Sequence, residues 1–102
     1  LGTLPYTSPE QLRGEPVQAF WDLWALAVVT YEMLTGARPF AGSGPAEWHS
    51  AILWGRITPI SHYAAGAPER WEDFFARALA LHPSQRPDSA ASFFSELEQA
   101  LS

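Results

Sequence analysis

One stretch decides the fold: DLWALAVVTYEMLTG, residues 22–36. Asp22 is a residue type that caps helices, because its carboxylate accepts hydrogen bonds from the unpaired N–H groups of the first turn. The residues after it predict one helix from Leu23 to about Thr35, which Gly36 ends at the C-cap position. Apolar side chains point to every side of this helix. We therefore predict a central helix that is buried all round.

Three further helices are predicted after it. The first covers residues 45–54, the second starts near Pro68 and is ended by Pro83, and the last is capped by Asp88 or Ser89. The two C-terminal helices each carry an apolar stripe at three-and-four spacing, namely Trp71, Phe74, Phe75, Ala78 and Leu79 in one and Phe93, Phe94, Leu97 and Leu101 in the other.

The N-terminal segment, residues 1–20, is rich in Pro and Gly and is predicted to be mostly loop, with one short helix near residues 9–13. Residues 57–68 are likewise predicted to be a loop. No stretch of four or more residues alternates between polar and apolar as a half-buried strand does. The sequence therefore predicts an all-α fold.

Composition excludes several classes of function. The chain has 102 residues, and 47% of them are hydrophobic, so it is not a disordered tail. Its net charge of −5, with only six Arg and no Lys, does not suit nucleic-acid binding. There is no Cys, and the three His are dispersed, so we expect no metal site. No secretory signal and no run of about 20 apolar residues is present, and we expect a cytoplasmic location without direct membrane contact.

Two motifs flank the central helix: Gly2-Thr3-Leu4-Pro5-Tyr6-Thr7-Ser8-Pro9-Glu10 and His82-Pro83-Ser84-Gln85-Arg86-Pro87. Together with Asp22-Leu23-Trp24 and Tyr31-Glu32-Met33-Leu34-Thr35-Gly36, in this order, they resemble the C-terminal lobe of serine/threonine protein kinases. The resemblance runs from the end of the activation segment to the last helix, and the last third is most similar to bacterial kinases. It covers residues 1–102, which implies a partial kinase domain without the N-terminal lobe and the catalytic loop.

The resemblance implies roles for five residues. Glu10 and Arg86 would form a buried salt bridge between the activation segment and the loop before the last helix. Arg suits this role because its planar guanidinium matches a carboxylate with two parallel bonds. Thr3 and Tyr6 would lie on the side that receives the protein substrate, and Asp22 would anchor the catalytic loop.

The groups that transfer phosphate are not in this sequence. Kinases use a Lys on the phosphates, an Asp and an Asn on two Mg²⁺ ions, and a catalytic Asp. This chain has no Lys, no Asn, no H-R-D and no D-F-G. We expect it to be catalytically inactive alone, with no catalytic residue and no bound cofactor. ATP and Mg²⁺ are implied only for a longer protein, whose N-terminal kinase half and protein substrate would be the partners.

Two interpretations of function stay open. The chain could be part of an active serine/threonine kinase, with the helix at residues 45–54 as a docking shelf for the substrate. Alternatively, it could be a kinase-lobe relic that has lost catalysis and binds protein partners. In either case we expect Trp24 or neighbouring apolar residues of the central helix to be exposed, because elements absent from this sequence normally cover that helix in kinases.

Overall fold

The computed structural model describes residues 6–15 and 21–102, with the side chains of Trp21 and Asp22 left out of the description. The described residues contain no β-strand, which confirms the all-α prediction. Two short 3-10 turns lie at Ile60–His62 and Pro83–Gln85. The α-helices are α1 (Pro9–Leu12), α2 (Trp21–Thr35), α3 (Pro45–Leu53), α4 (Glu69–Ala78) and α5 (Ala90–Leu101).

Most helix ends follow the local sequence. Gly36 follows α2 with a φ of 74°, the left-handed conformation that glycine adopts without a steric penalty. Of the two proposed caps of α5, Ser89 is the one used, because its hydroxyl accepts from the backbone N–H of Ser92 at 3.1 Å. The prediction that Asp22 is an N-cap is wrong. Because α2 begins at Trp21, Asp22 lies inside its first turn and not at the cap position before it.

The prediction that α2 is buried all round is also wrong. Trp24, Ala27, Val28 and Tyr31 are buried, but Val29 is 38% and Met33 is 80% exposed. The described elements pack against one side of the helix only, so the opposite apolar face stays in contact with solvent. Of the two alternatives expected for exposure, Trp24 is 1% exposed and therefore buried, whereas the apolar residues Val29 and Met33 of the same helix are exposed.

Helix α4 packs against both α5 and α2 through aromatic side chains. The Phe74 and Phe93 rings meet edge to face at 5.4 Å, and the Tyr31 and Phe75 rings do so at 5.2 Å. The predicted stripe of α4 is confirmed, because Phe74, Phe75, Ala78 and Leu79 are buried and Trp71 is half-buried. The stripe of α5 is confirmed only in part. Phe93 is buried, but Phe94 and Leu101 are 52% and 47% exposed, and Ala100 takes the second buried position.

Two loops differ from the sequence-based expectation. Helix α4 ends at Ala78 rather than at Pro83, because the backbone carbonyls of Ala80 and Leu81 accept from Arg86 instead of from a continuing helix. The loop at residues 57–68 contains the short turn Ile60–His62. A hydrogen bond of 2.7 Å from the Ile60 N–H to the Glu72 carboxylate ties this turn to α4.

The hydroxyl of Tyr31 fixes the same loop from the side of α2. It donates to the backbone carbonyl of Thr58 at 2.6 Å. Burial, together with the nearby Tyr63 and Glu72, raises the pKa of Tyr31 to about 12. Tyr31 therefore remains a neutral hydrogen-bond donor throughout the physiological range.

None of the helices in the described part of the chain has the length and apolar character that crossing a bilayer requires.

Candidate functional site

Helix α1 presents Glu10 to the interior of the protein. Its first turn is held by a capping box, in which the Ser8 hydroxyl accepts from the Gln11 N–H and the Gln11 side chain accepts from the Ser8 N–H at 2.9 Å. Pro9 supplies the φ that the first helical position needs. Ser8, Pro9 and Glu10 are all buried, so this four-residue helix is fixed by its cap and by burial rather than by its length.

Arg86 reaches Glu10 with a two-pronged salt bridge. Its Nη1 donates to Glu10 Oε2 at 2.8 Å and its Nη2 to Oε1 at 2.7 Å. The two side chains are 5% and 4% exposed. The structure thus brings together the two charged residues that the sequence paired, although they lie at opposite ends of the chain. We call this contact the Glu10–Arg86 pair.

Two further N–H groups of Arg86 donate to the loop that precedes it. Nε donates to the carbonyl of Ala80 at 2.7 Å, and Nη2 also donates to the carbonyl of Leu81 at 3.0 Å. A buried guanidinium is stable only when its N–H groups are paired, and these carbonyls supply partners that Glu10 alone does not. The sequence motif did not indicate this role, because backbone acceptors have no residue-type signature.

The electrostatics of the pair favour the ionised form of Glu10. Burial by itself would raise the pKa of this carboxyl group. The hydrogen bonds and the positive charge of Arg86 outweigh burial and hold the pKa of Glu10 below its ordinary value of 4.5. The pair is therefore fully charged at neutral pH.

Trp24 connects the Glu10–Arg86 pair to α2. The guanidinium carbon of Arg86 lies 4.6 Å from the centroid of the Trp24 ring, a cation–π distance. The Phe40 ring stacks on Trp24 at 5.6 Å with an interplanar angle of 12°. Sequence reasoning missed the Arg86–Trp24 contact. The only signal in the sequence was that both residues belong to motifs that resemble kinases. Such motifs do not show how close the Arg86 and Trp24 side chains are.

Tyr6 lies at the other end of the described N-terminal segment and faces α2. The interaction of its hydroxyl with the Glu32 carboxylate is the main reason that the pKa of Tyr6 is raised above its ordinary value. Arg38 lies 3.8 Å from Glu32 and partly balances its charge. Glu32 was not among the predicted site residues. The sequence analysis missed it because α2 was predicted to be buried on every side. In the structure the Glu32 side chain lies beside Tyr6 and is 26% exposed.

The structure describes no side chain for two of the predicted site residues. Thr3 lies outside the described residues, and the described part of Asp22 is its backbone in α2. Their roles beside the acceptor and at the catalytic loop stay predictions. Within the described part of the chain, no group of three His, Asp or Glu side chains is close enough to hold a metal ion.

Comparison with known proteins gives the family. The model of the protein kinase domain matches residues 1–97. The chain belongs to the protein kinase family. The kinase fold is also seen in a solved structure, the twitchin kinase region of C. elegans, with a TM-score of 0.77 and 27% identity over 95% of this chain and 16% of that one. The five-helix arrangement is therefore the helical lobe of a kinase, as the sequence motifs predicted.

Bacterial kinases are among the relatives. The chain is 37% identical to the probable serine/threonine-protein kinase PknB of Bifidobacterium longum, over 95% of this chain and 14% of that protein. It is 36% identical to the tyrosine-protein kinase MasK of Myxococcus xanthus, over 99% of this chain and 16% of that protein. The predicted bacterial type of kinase is confirmed by these similarities, and the chain spans a small part of the length of each relative.

Proposed function

We propose that this chain forms the structural and substrate-docking part of a serine/threonine protein kinase that transfers the γ-phosphate of ATP to protein hydroxyl groups. The Glu10–Arg86 pair is the observation that carries the proposal. It is buried, it is bidentate, and it fastens α1 to the loop before α5. Because α1 begins shortly after Tyr6, the pair holds in place the backbone next to Tyr6 on the proposed acceptor side.

Three residues have proposed roles around the acceptor. Thr3 braces the catalytic aspartate that the rest of a kinase supplies, and Asp22 anchors the catalytic loop. Tyr6 lines the docking surface, where its hydroxyl interacts with the Glu32 carboxylate. Each role follows from the family resemblance, and the Tyr6–Glu32 contact supports the third.

The substrate protein is proposed to rest against α3 as well. The C-terminal end of this helix offers Trp54, which is 72% exposed, and Trp48 in the helix is half-buried against the core. Large aromatic side chains contribute strongly to protein contacts because they bury much area with few rotatable bonds. A docking shelf at residues 45–54 fits this surface.

The chain is proposed to be inactive by itself. Phosphoryl transfer depends on positioning and on positive charge around the phosphates, supplied by Lys and by Mg²⁺ held by Asp and Asn. This sequence has neither Lys nor Asn. In this proposal ATP, Mg²⁺ and the catalytic aspartate belong to the N-terminal kinase half of a longer cytoplasmic protein.

The amino acid that accepts the phosphate, serine or threonine as opposed to tyrosine, can be determined directly. The Gly2-Thr3 motif resembles the serine/threonine branch, and the PknB relative is named as such a kinase. The MasK relative is named as a tyrosine kinase. We propose serine and threonine as acceptors, and phosphoamino-acid analysis of the product distinguishes the two.

A second function is favoured by the exposed face of α2. Met33 and Val29 are unusually exposed for apolar residues of a central helix. Such a face suits protein–protein contact, as expected of a kinase-lobe relic that serves as an interaction module. Reading the coding DNA upstream of Leu1 separates the two functions. In-frame H-R-D and D-F-G motifs support the kinase, whereas a start codon immediately before Leu1 supports the module.

The proposed function is tested with a chimera. Residues 1–97 of this chain replace the matching segment of the B. longum PknB kinase, and transfer of labelled phosphate to a protein substrate is measured. Activity is expected in the chimera, with a loss of at least about tenfold after Arg86→Met. Arg13→Met is the matched control, because Arg13 pairs with Glu15 at 2.8 Å on the exposed surface. A folded chimera without transfer, or one indifferent to Arg86→Met, contradicts the proposal.

A further inference from the structure

Arg56 differs from the other arginines of the chain. Four of the six form ion pairs with acidic side chains, namely Arg13, Arg38, Arg77 and Arg86. Arg70 donates to the backbone carbonyls of Ala100 and Ser102 at the end of α5. Arg56 is exposed, and among the described side chains no carboxylate lies within 4.0 Å of its guanidinium. The side chains outside the description include a single carboxylate, that of Asp22.

The C-terminal end of α3 holds Arg56 in place. The Arg56 N–H donates to the Ala51 carbonyl at 2.8 Å. The Gly55 N–H donates to the Ile52 carbonyl at 3.2 Å, and Gly55 has a φ of 67°, which together complete a Schellman motif. The Arg56 side chain turns back to the helix, where its Nη2 donates to the Ser50 hydroxyl at 3.1 Å. Because backbone and guanidinium are both fixed in the free chain, less conformational entropy is lost when a ligand binds.

Trp54 belongs to the same motif and is 72% exposed. It is the C-cap residue of α3, and its N–H donates to the Ser50 carbonyl at 3.0 Å. Trp and Arg are among the residue types most enriched at the energetic centres of protein interfaces. An exposed Trp two residues from an Arg without an acidic partner among the described side chains therefore suits contact with another polypeptide segment. We call residues 54–56 the α3 cap.

The Glu47 carboxylate limits the charge that this surface accepts. Glu47, Ser50 and Arg56 line one surface cleft. The two carboxylate oxygens of Glu47 accept from the N–H of Ser43 at 3.1 Å and from its hydroxyl at 2.7 Å. A carboxylate on Arg56 is attracted, whereas a second one near Glu47 is repelled, and the net charge of −5 opposes a highly acidic partner at long range. A segment with one acidic side chain suits the cleft better than a run of them.

We propose that the α3 cap binds a segment of the protein substrate that carries one acidic side chain next to an apolar one. The carboxylate pairs with Arg56, whose planar guanidinium can donate two parallel N–H groups to it, and the apolar side chain packs on Trp54. The assignment of this segment to a substrate rests on the proposed kinase function and on the docking shelf at residues 45–54. The preference for a single carboxylate rests on the geometry of the α3 cap alone.

Three acetylated and amidated peptides, GLELG, GLQLG and GLKLG, test the charge preference, because they differ only in the central residue. Each is titrated into the ¹⁵N-labelled 102-residue chain, and the indole N–H of Trp54 and the Nε–H of Arg56 are followed by NMR. We expect GLELG to move both resonances and to bind about two- to fivefold more tightly than GLQLG, as a partly exposed ion pair does. GLKLG is expected to bind most weakly. Equal affinities of the three peptides, or an unmoved Arg56 resonance, overturn the proposal.

Substitutions of exposed residues test the location. Arg56→Gln is expected to abolish the preference for GLELG over GLQLG. Arg13→Gln is the matched control, at an exposed arginine that is paired with Glu15, and it is expected to keep the preference. Trp54→Ser is expected to weaken the binding of both peptides at least about threefold while the preference remains. A preference that survives Arg56→Gln contradicts the proposal.

Competition in the chimera of residues 1–97 separates this inference from the proposed function. GLELG is expected to raise the KM for the protein substrate without changing kcat, and GLKLG is expected to have no effect at the same concentration. If the folded chimera transfers no phosphate, the proposed function fails, and the peptide titrations still decide the charge preference of the α3 cap. If the chimera transfers phosphate and GLELG binds without competing, the assignment of the segment to the substrate fails.

Discussion

Replacing Arg86 with Met removes the charge that faces Glu10 while keeping most of the side-chain volume. Glu10 is 3% exposed, so its carboxylate would be left unpaired in the interior. Breaking a buried ion pair in this way costs about 3–5 kcal/mol of the free energy of unfolding. A small domain has about 5–15 kcal/mol in total, so Arg86→Met should bring the chain close to unfolding.

A milder variant and a paired variant keep the experiment measurable. Arg86→Lys keeps the charge but loses the planar fork, and we expect a loss of about 1–3 kcal/mol. Combining Glu10→Leu with Arg86→Met removes both charges, and replacing a buried pair by apolar residues is often close to neutral. We therefore expect the double variant to be more stable than either single variant.

Urea denaturation followed by circular dichroism gives the free energies for this cycle. Arg13→Met is the control, because its pair with Glu15 has the same 2.8 Å contact length but both side chains are more than two-fifths exposed. It should change stability by at most about 1 kcal/mol. Effects of Glu10→Leu and Arg86→Met that add to within about 0.5 kcal/mol would refute the reasoning, because independent sites behave in that way.

Further predictions concern pH, a buried hydroxyl and a helix cap. Since the folded-state pKa of Glu10 is below its ordinary value of 4.5, the contribution of Glu10 to stability is complete above that value and is lost as pH falls through the lower pKa. Denaturation midpoints between about pH 5 and about pH 3 should therefore fall more steeply in the wild type than in Glu10→Leu, and parallel profiles would contradict this. Tyr31→Phe leaves the Thr58 carbonyl without its donor and should cost about 1–3 kcal/mol in urea denaturation, whereas Tyr63→Phe, at a ring that is 40% exposed, should cost less. Ser8→Ala removes the cap of α1 and should cost about 0.5–2 kcal/mol in the same assay, and an unchanged midpoint would show that burial alone holds α1.

The helical lobe could be predicted from sequence because its local features agree with one another. Gly36, Pro45 and Ser89 each stand where a helix must end or begin, and the structure uses all three. The partner of Arg86 could be predicted because the resemblance joins two motifs that flank α2. No local pattern in the sequence could have paired residues this far apart.

What the sequence could not provide depends on packing. Periodicity shows that α2 is apolar on every side, but whether Met33 is covered depends on which elements pack around it. The end of α4 is set by the hydrogen bonds of Arg86 to Ala80 and Leu81. Such features arise from tertiary contacts between side chains and backbone, which propensity does not encode.

Titration of Mg²⁺-ATP into the folded 102-residue chain, followed by calorimetry and by NMR, tests most directly the claim that the chain is the substrate-side part of a kinase. The account predicts no saturable binding at millimolar nucleotide, because the groups that hold phosphates and Mg²⁺ are not in this sequence. Stoichiometric binding with a micromolar dissociation constant would contradict it.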